Sequence, residues 1–130
     1  MNAGFRIAFS DLEAGCLRAR VTGIRSPEST IAYWETLLEH IAAERPVTLL
    51  VMDELLGEEL SASEWKALVQ KMIGRGLEGI RIAHVKLFAI DQIDYCEVYA
   101  NKAGLATRAF RDESAAIRWL QGDARSSPVL

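Results

Sequence analysis

Three groups of residues in this 130-residue chain carry side chains capable of chemistry. The first is Asp53, Glu54, Glu58 and Glu59, with Ser61 and Ser63 just behind them. Carboxylates this close offer hard oxygen ligands of the kind Mg²⁺ or Ca²⁺ takes. A receiver-like phosphorelay site would also need an acidic pair after the first parallel strand and a lysine on a late one. Val21-Thr22-Gly23 supplies no such pair, and Lys86 alone does not make the pattern. Charge runs are usually surface, so the expectation is a solvated loop with no metal and no cofactor. Ser61 and Ser63 are the candidate phosphoacceptors, because a helix amino end welcomes the charge of a phosphate. Ser61 also stands at capping-box spacing from Glu64, and capping alone accounts for it.

The second group is His40, His84, Cys16 and Cys96. The histidines fall far apart in the chain, and His84 in an apolar strand reads as a hydrogen-bonded core or edge residue. The cysteines lack CxxC spacing, which argues against a disulfide framework or a zinc site. Cys96 as a nucleophile would need an activating histidine or a helix amino end, and its place on an apolar helix face points to packing. The third group, Gly74-Arg75-Gly76-Leu77-Glu78-Gly79, formally spells GxGxxG. A dinucleotide fingerprint follows a strand and opens a helix; this one closes a helix and leads into a strand, so its glycines are read as a cap and a turn. No nucleophile elbow, HExxH or P-loop is present, and no catalytic residue is assigned.

The elements that position these groups follow from periodicity. Val47 to Asp53 is a short apolar run rich in branched residues, opened by Pro46, and reads as a central strand covered on both faces. Upstream, Phe5–Phe9 and Cys16–Thr22 alternate, joined by the polar stretch Ser10–Gly15, and suggest an antiparallel hairpin at one edge. Leu17, Ala19 and Val21 share one face of the second strand; Arg18 and Arg20 point the other way. Ser26-Pro27-Glu28 starts a helix with Ile31, Trp34, Leu38 and Ile41 as its apolar stripe, ending before Pro46. Ser61 opens a second helix with the stripe Trp65, Leu68, Val69, Met72 and Ile73, ended by Gly74 and Gly76. Ile80–Val85 forms the next strand, extendable through Leu87 and Phe88. A third helix runs from Asp91 or Gln92 through Lys102, followed by strand Ala106–Phe110 and an Asp112-capped helix containing Ala116, Ile117, Trp119 and Leu120. The order is strand, strand, helix, then three strand–helix pairs. This predicts a single α/β domain over residues 5–122, with a mixed five-stranded sheet and four helices, and a flexible tail over 123–130.

That order, and the closing phrase Phe110-Arg111-Asp112-Glu113-Ser114-Ala115-Ala116-Ile117-Arg118-Trp119-Leu120, resemble the SpoIIAA-like branch of the STAS superfamily (sulfate transporter and anti-sigma-factor antagonist domains). Arg81–Val85 and Leu49–Asp53 match its central strands more loosely. The resemblance implies a STAS-like fold with helices mostly on one side of the sheet. It also implies a small regulatory or binding domain and not an enzyme. The chain departs from the phosphorylatable members, which carry an Asp-Ser-(Ser/Thr)-Gly-like segment where this chain has a longer, acidic one.

Net charge is −3, with 15 basic and 18 acidic residues and half the chain hydrophobic, so nucleic acid and anionic membranes are poor partners. Met1–Arg6 has no signal pattern, and no apolar run approaches the ~18 residues of a membrane helix. With two free thiols, the expected compartment is the cytoplasm. The third helix is apolar over much of its circumference, with Leu87, Phe88, Tyr95 and Tyr99 nearby. Apolar patches are seldom left in water, so a homodimer or protein partner is expected. The alternative is a small apolar or acidic ligand in a cleft at the carboxyl end of the central strands, bounded by Asp53 and these residues.

Overall fold

A computed structural model describes residues 4–13, 15–86 and 95–122. The strands are β1 (Phe5–Glu13), β2 (Cys16–Ile24), β3 (Thr48–Leu56), β4 (Arg81–Lys86) and β5 (Ala106–Phe110). The helices are α1 (Pro27–Glu44), α2 (Ala62–Met72), α3 (Tyr95–Lys102) and α4 (Glu113–Leu120). One five-stranded sheet has the order β1-β2-β3-β4-β5. β1 runs antiparallel to β2, and the remaining neighbours are parallel. The mixed sheet and four helices are those expected from the pattern.

β3 is the middle strand, and its two faces meet two separate cores. Leu49, Val51 and Leu55 join Tyr33, Trp34 and Leu37 of α1 and Trp65 of α2 in the larger cluster. Leu50 and Met52 turn the other way, onto Ala116 and Leu120 of α4. Strand side chains alternate between faces, so a run buried on both sides must be continuously apolar. α1, α2 and α3 pack on one face and α4 on the other. On β2, Leu17, Ala19 and Val21 face the larger core. Arg18 points to the α4 side, where it reaches Glu113 at 2.7 Å.

The caps are those written in the sequence. Ser26 accepts from the Ser29 amide, and Ser29 returns the bond to the Ser26 amide. Ser61 and Glu64 exchange the same pair of bonds at the start of α2, and Asp112 accepts from the Ala115 amide at the start of α4. Arg45 closes α1 at φ 51°, with its amide bonded to the Ile41 carbonyl. A left-handed non-glycine residue here costs little beside the turn it makes into Pro46.

Several boundaries differ from expectation. β1 continues through Ser10–Glu13, which the polar composition marks as connection. Its outward side chains simply stand in water at an edge strand, so polarity there does not break pairing. β3 starts after Val47, which is 69% exposed, and runs on through Glu54-Leu55-Leu56 because Leu55 still reaches the core. Ile73 lies beyond α2 and is exposed, since the backbone has already turned extended there. Trp34, Leu38 and Ile41 of the expected α1 stripe are buried, Ile31 is only half-buried, and Tyr33 and Leu37 join the buried face. α3 is described from Tyr95; the expected start at Asp91 or Gln92, the run Leu87-Phe88 and the 123–130 tail lie outside the described residues. Among the described residues, no helix is long and apolar enough to cross a membrane.

If β3 carries both cores, truncating its buried side chains is costly and truncating its first neighbour is not. Leu50→Ala is expected to lower unfolding free energy by about 2–5 kcal/mol. Val47→Ala should stay within about 0.5 kcal/mol of the parent. Urea denaturation followed by circular dichroism checks both.

Candidate functional site

Two central strands, β3 and β4, place polar side chains on their inward face. Asp53 follows Val51 by one alternation on β3, and His84 and Lys86 stand opposite Val51 and Asp53 on β4. All three therefore point under α1 and α2. Arg25 comes from the link between β2 and α1, Tyr33 from α1, and Glu59 from the connection between β3 and α2. Asp53, Tyr33 and His84 are at most 1% exposed, Arg25 and Lys86 under 10%.

Asp53 accepts four hydrogen bonds. Oδ1 takes one from Arg25 Nη2 at 2.6 Å and one from the Leu55 amide at 3.2 Å. Oδ2 takes one from the Tyr33 hydroxyl at 2.8 Å and one from His84 Nε2 at 3.1 Å. An ionised carboxylate only accepts, so Tyr33 donates here and His84 carries its proton on Nε2. The 3.5 Å approach of Tyr33 to His84 then joins two donors converging on one oxygen. Burial alone would push the Asp53 carboxyl up; the bonds and charges of His84 and Arg25 outweigh it and hold the group far below the usual carboxylate range. Burial, followed by the adjacent Asp53, drives the Tyr33 phenol well above its ordinary value.

Glu59 forms the second half of the network. Its Oε1 accepts from the Leu60 amide and from Trp65 Nε1, and its Oε2 accepts from Lys86 Nζ at 2.7 Å. Arg25 Nη1 lies 3.7 Å from Oε1, close enough for charge but not for a hydrogen bond. Burial of Glu59 is again outweighed, by Lys86 first and Arg25 after it, so its pKa is lowered. Lys86 sits 4.8 Å from the Trp65 ring centre. Trp34 and Trp65 both meet the His84 ring edge-on.

The lowered pKa of Asp53 and the raised pKa of Tyr33 favour the carboxylate and the neutral phenol side by side. The arrangement is a fixed-charge clamp joining β3, β4, α1 and both flanking connections. It nevertheless leaves buried polar atoms without partners: Arg25 Nη1, His84 Nδ1, Trp34 Nε1 and Thr30 Oγ1.

The residues singled out from sequence divide accordingly. Asp53 and Glu59 are not solvated, contrary to the expectation for an acidic loop, because each is neutralised by a cation that a distant segment supplies. Glu54 points to the opposite face and pairs with Arg20 at 3.0 Å, and Glu58 is exposed. The four acids are thus not gathered, and among the described residues no cluster suits a metal ion. Ser61 is engaged as a cap and Ser63 is exposed beside it, with their hydroxyls 3.2 Å apart. Tyr95 and Tyr99 are half-buried on α3 and stack with ring centres 6.3 Å apart. Leu87 and Phe88 lie outside the described residues. Arg25 and Tyr33 were not foreseen; the available signal was three polar residues at inward positions of buried strands, Asp53, His84 and Lys86, which demand polar partners.

No protein-family model matches the chain, and no curated protein matches its sequence.

Removing one member of a buried ion pair leaves the other charge uncompensated. Asp53→Asn should therefore cost about 3–5 kcal/mol of stability. The depressed pKa values of Asp53 and Glu59 contribute stability that is present above their unfolded values of 3.8 and 4.5. That stability is lost as pH falls through the folded values. The parent's urea midpoint should drop steadily below about pH 5, whereas Asp53→Asn should show a shallower dependence. Parallel slopes would assign the acid sensitivity elsewhere.

Proposed function

We propose that the chain is a non-catalytic, cytoplasmic STAS-like binding domain that acts by association with itself or with a protein partner. The strand–helix order and the segment Phe110–Leu120 support the STAS-like reading. Cys16 and Cys96 are buried and joined in no disulfide, which suits a reducing compartment. The non-catalytic reading rests on the Asp53 carboxylate at the end of β3, whose two oxygens are occupied by four donors from within the protein.

The observation that carries association is the division of α3 into two faces. Cys96 and Ala100 are buried against the larger core. Tyr95, Val98 and Tyr99, at the i, i+3, i+4 positions of a neighbouring stripe, lie at the rim: the two tyrosines pack against the edge of that core and Val98 stands outside it. Val98 is 40% exposed and the two tyrosines half-buried. Such a stripe, with aromatic rings already ordered by stacking, is the composition favoured at protein contacts. Ile24 and Leu56, register partners on β2 and β3, add a second exposed apolar pair.

A second reading, a small acidic ligand near Asp53, is favoured by the unpartnered polar atoms beneath α1. Arg25 Nη1 and Trp34 Nε1 are donors, and a carboxylate or phosphate oxygen is their natural complement. Native mass spectrometry of the purified protein would reveal such a ligand as excess mass.

For self-association, light scattering should give a concentration-dependent mass rising toward twice the 14.4 kDa protomer. Tyr95→Glu and Val98→Glu should shift it to the protomer while circular dichroism stays unchanged. A parent protein that remains a protomer at high concentration argues against self-association.

A further inference from the structure

On the α4 side of the sheet, two arginines bracket a pair of aromatic rings. Arg81 opens β4, and its guanidinium carbon lies 4.2 Å from the centre of the Trp119 ring. Trp119 meets Phe110 with ring centres 5.7 Å apart, and Arg108 lies 5.8 Å from the Phe110 ring. The register places Arg108 beside Ala83 and Phe110 beside Val85, so all four side chains fall on one face, along the seam between α4 and the β5 edge.

Four other arginines hold acids: Arg18 binds Glu113, Arg20 Glu54, Arg25 Asp53 and Arg75 Glu35. Among the described residues, Arg81 and Arg108 have no carboxylate partner. The acids closest in sequence to this seam are engaged, Glu113 by Arg18 and Asp112 by the α4 cap. Both arginines are half-buried, and Arg81 Nε is buried without a hydrogen-bond partner. Stacking on a ring fixes the plane of a guanidinium and leaves its in-plane N–H groups to make bidentate bonds with an oxyanion.

We propose that the Arg81–Trp119–Phe110–Arg108 seam is a docking surface for a short acidic segment of a partner protein, its carboxylates bonding the two guanidinium edges. The proposal deepens the association reading, on which it rests, by naming the partner's chemistry. A carboxylate-bearing peptide suits the seam better than a polyanion, because the chain as a whole is acidic at −3 and would repel extended negative charge beyond the two guanidinium groups.

The test is fluorescence anisotropy with a labelled peptide of alternating Glu and Gly at low ionic strength, using the full chain. Saturable binding is expected, weakened about tenfold or more by Arg81→Gln with Arg108→Gln. Arg81→Lys with Arg108→Lys, which keeps charge but not the planar stack, should also weaken it. The control removes the same charge from two exposed positions, Arg6→Gln with Arg45→Gln, and should bind as the parent does. Absence of saturable binding, equal loss in the control, or tighter binding of an oligothymidylate than of the peptide would each overturn the proposal. Light scattering on the same variants separates the two claims. A self-associating parent that ignores the peptide defeats the acidic-partner inference alone. A protomeric parent that binds the peptide defeats self-association alone.

Discussion

A buried carboxylate must be fully bonded or it destabilises the fold. Asp53 meets that condition only because four donors arrive from four places: the link before α1, α1 itself, β4, and its own strand two residues on. Each donor fixes a geometric relation. Tyr33 sets how α1 lies across β3, His84 sets the register of β4, and Arg25 ties down the crossover leaving β2. The interior here is specified by directional bonds as well as by volume, which an all-apolar core would not do.

Glu59 extends the constraint to the connection leading into α2. It holds Lys86 and Trp65 together and lends charge to Arg25, so the loop after β3 is anchored inward and does not stand free in water. This accounts for a long acidic connection coexisting with a closed core. It also separates ionisation from chemistry: the groups with the most perturbed titration are those most completely bonded within the protein. Perturbed pKa values mark functional sites and structural ion networks alike, and the completeness of the bonding around Asp53 favours the structural role.

The two faces of the sheet differ in how they are completed. Under α1, α2 and α3 the core is large and includes the charge network. Under α4 it is smaller, and its rim is lined by arginines: Arg18 and Arg20 holding acids, Arg81 and Arg108 lying on rings. The proposed docking seam and the charge network therefore lie on opposite faces of the sheet, so variants of the seam leave the contacts of Asp53 in place.

Local pattern by itself determined the element order, the three capped helix starts, the middle position of the Leu49–Met52 run and the outward turn of Arg18 and Arg20. Each follows from nearest-neighbour chemistry: caps from side chains within three residues, strands from alternation or its absence, stops from proline and glycine. What only the tertiary structure decided is where charge lies. The sequence places Asp53 and Glu59 in one acidic run with Glu54 and Glu58, yet Asp53 is buried and Glu59 turns inward beside it, whereas Glu54 turns to the opposite face and Glu58 stands exposed. The difference is made by Arg25, Tyr33, His84 and Lys86, whose distances from Asp53 along the chain carry no local signal. Periodicity reports which face a residue is on; whether a charge can stay there depends on partners that only folding brings within bonding distance.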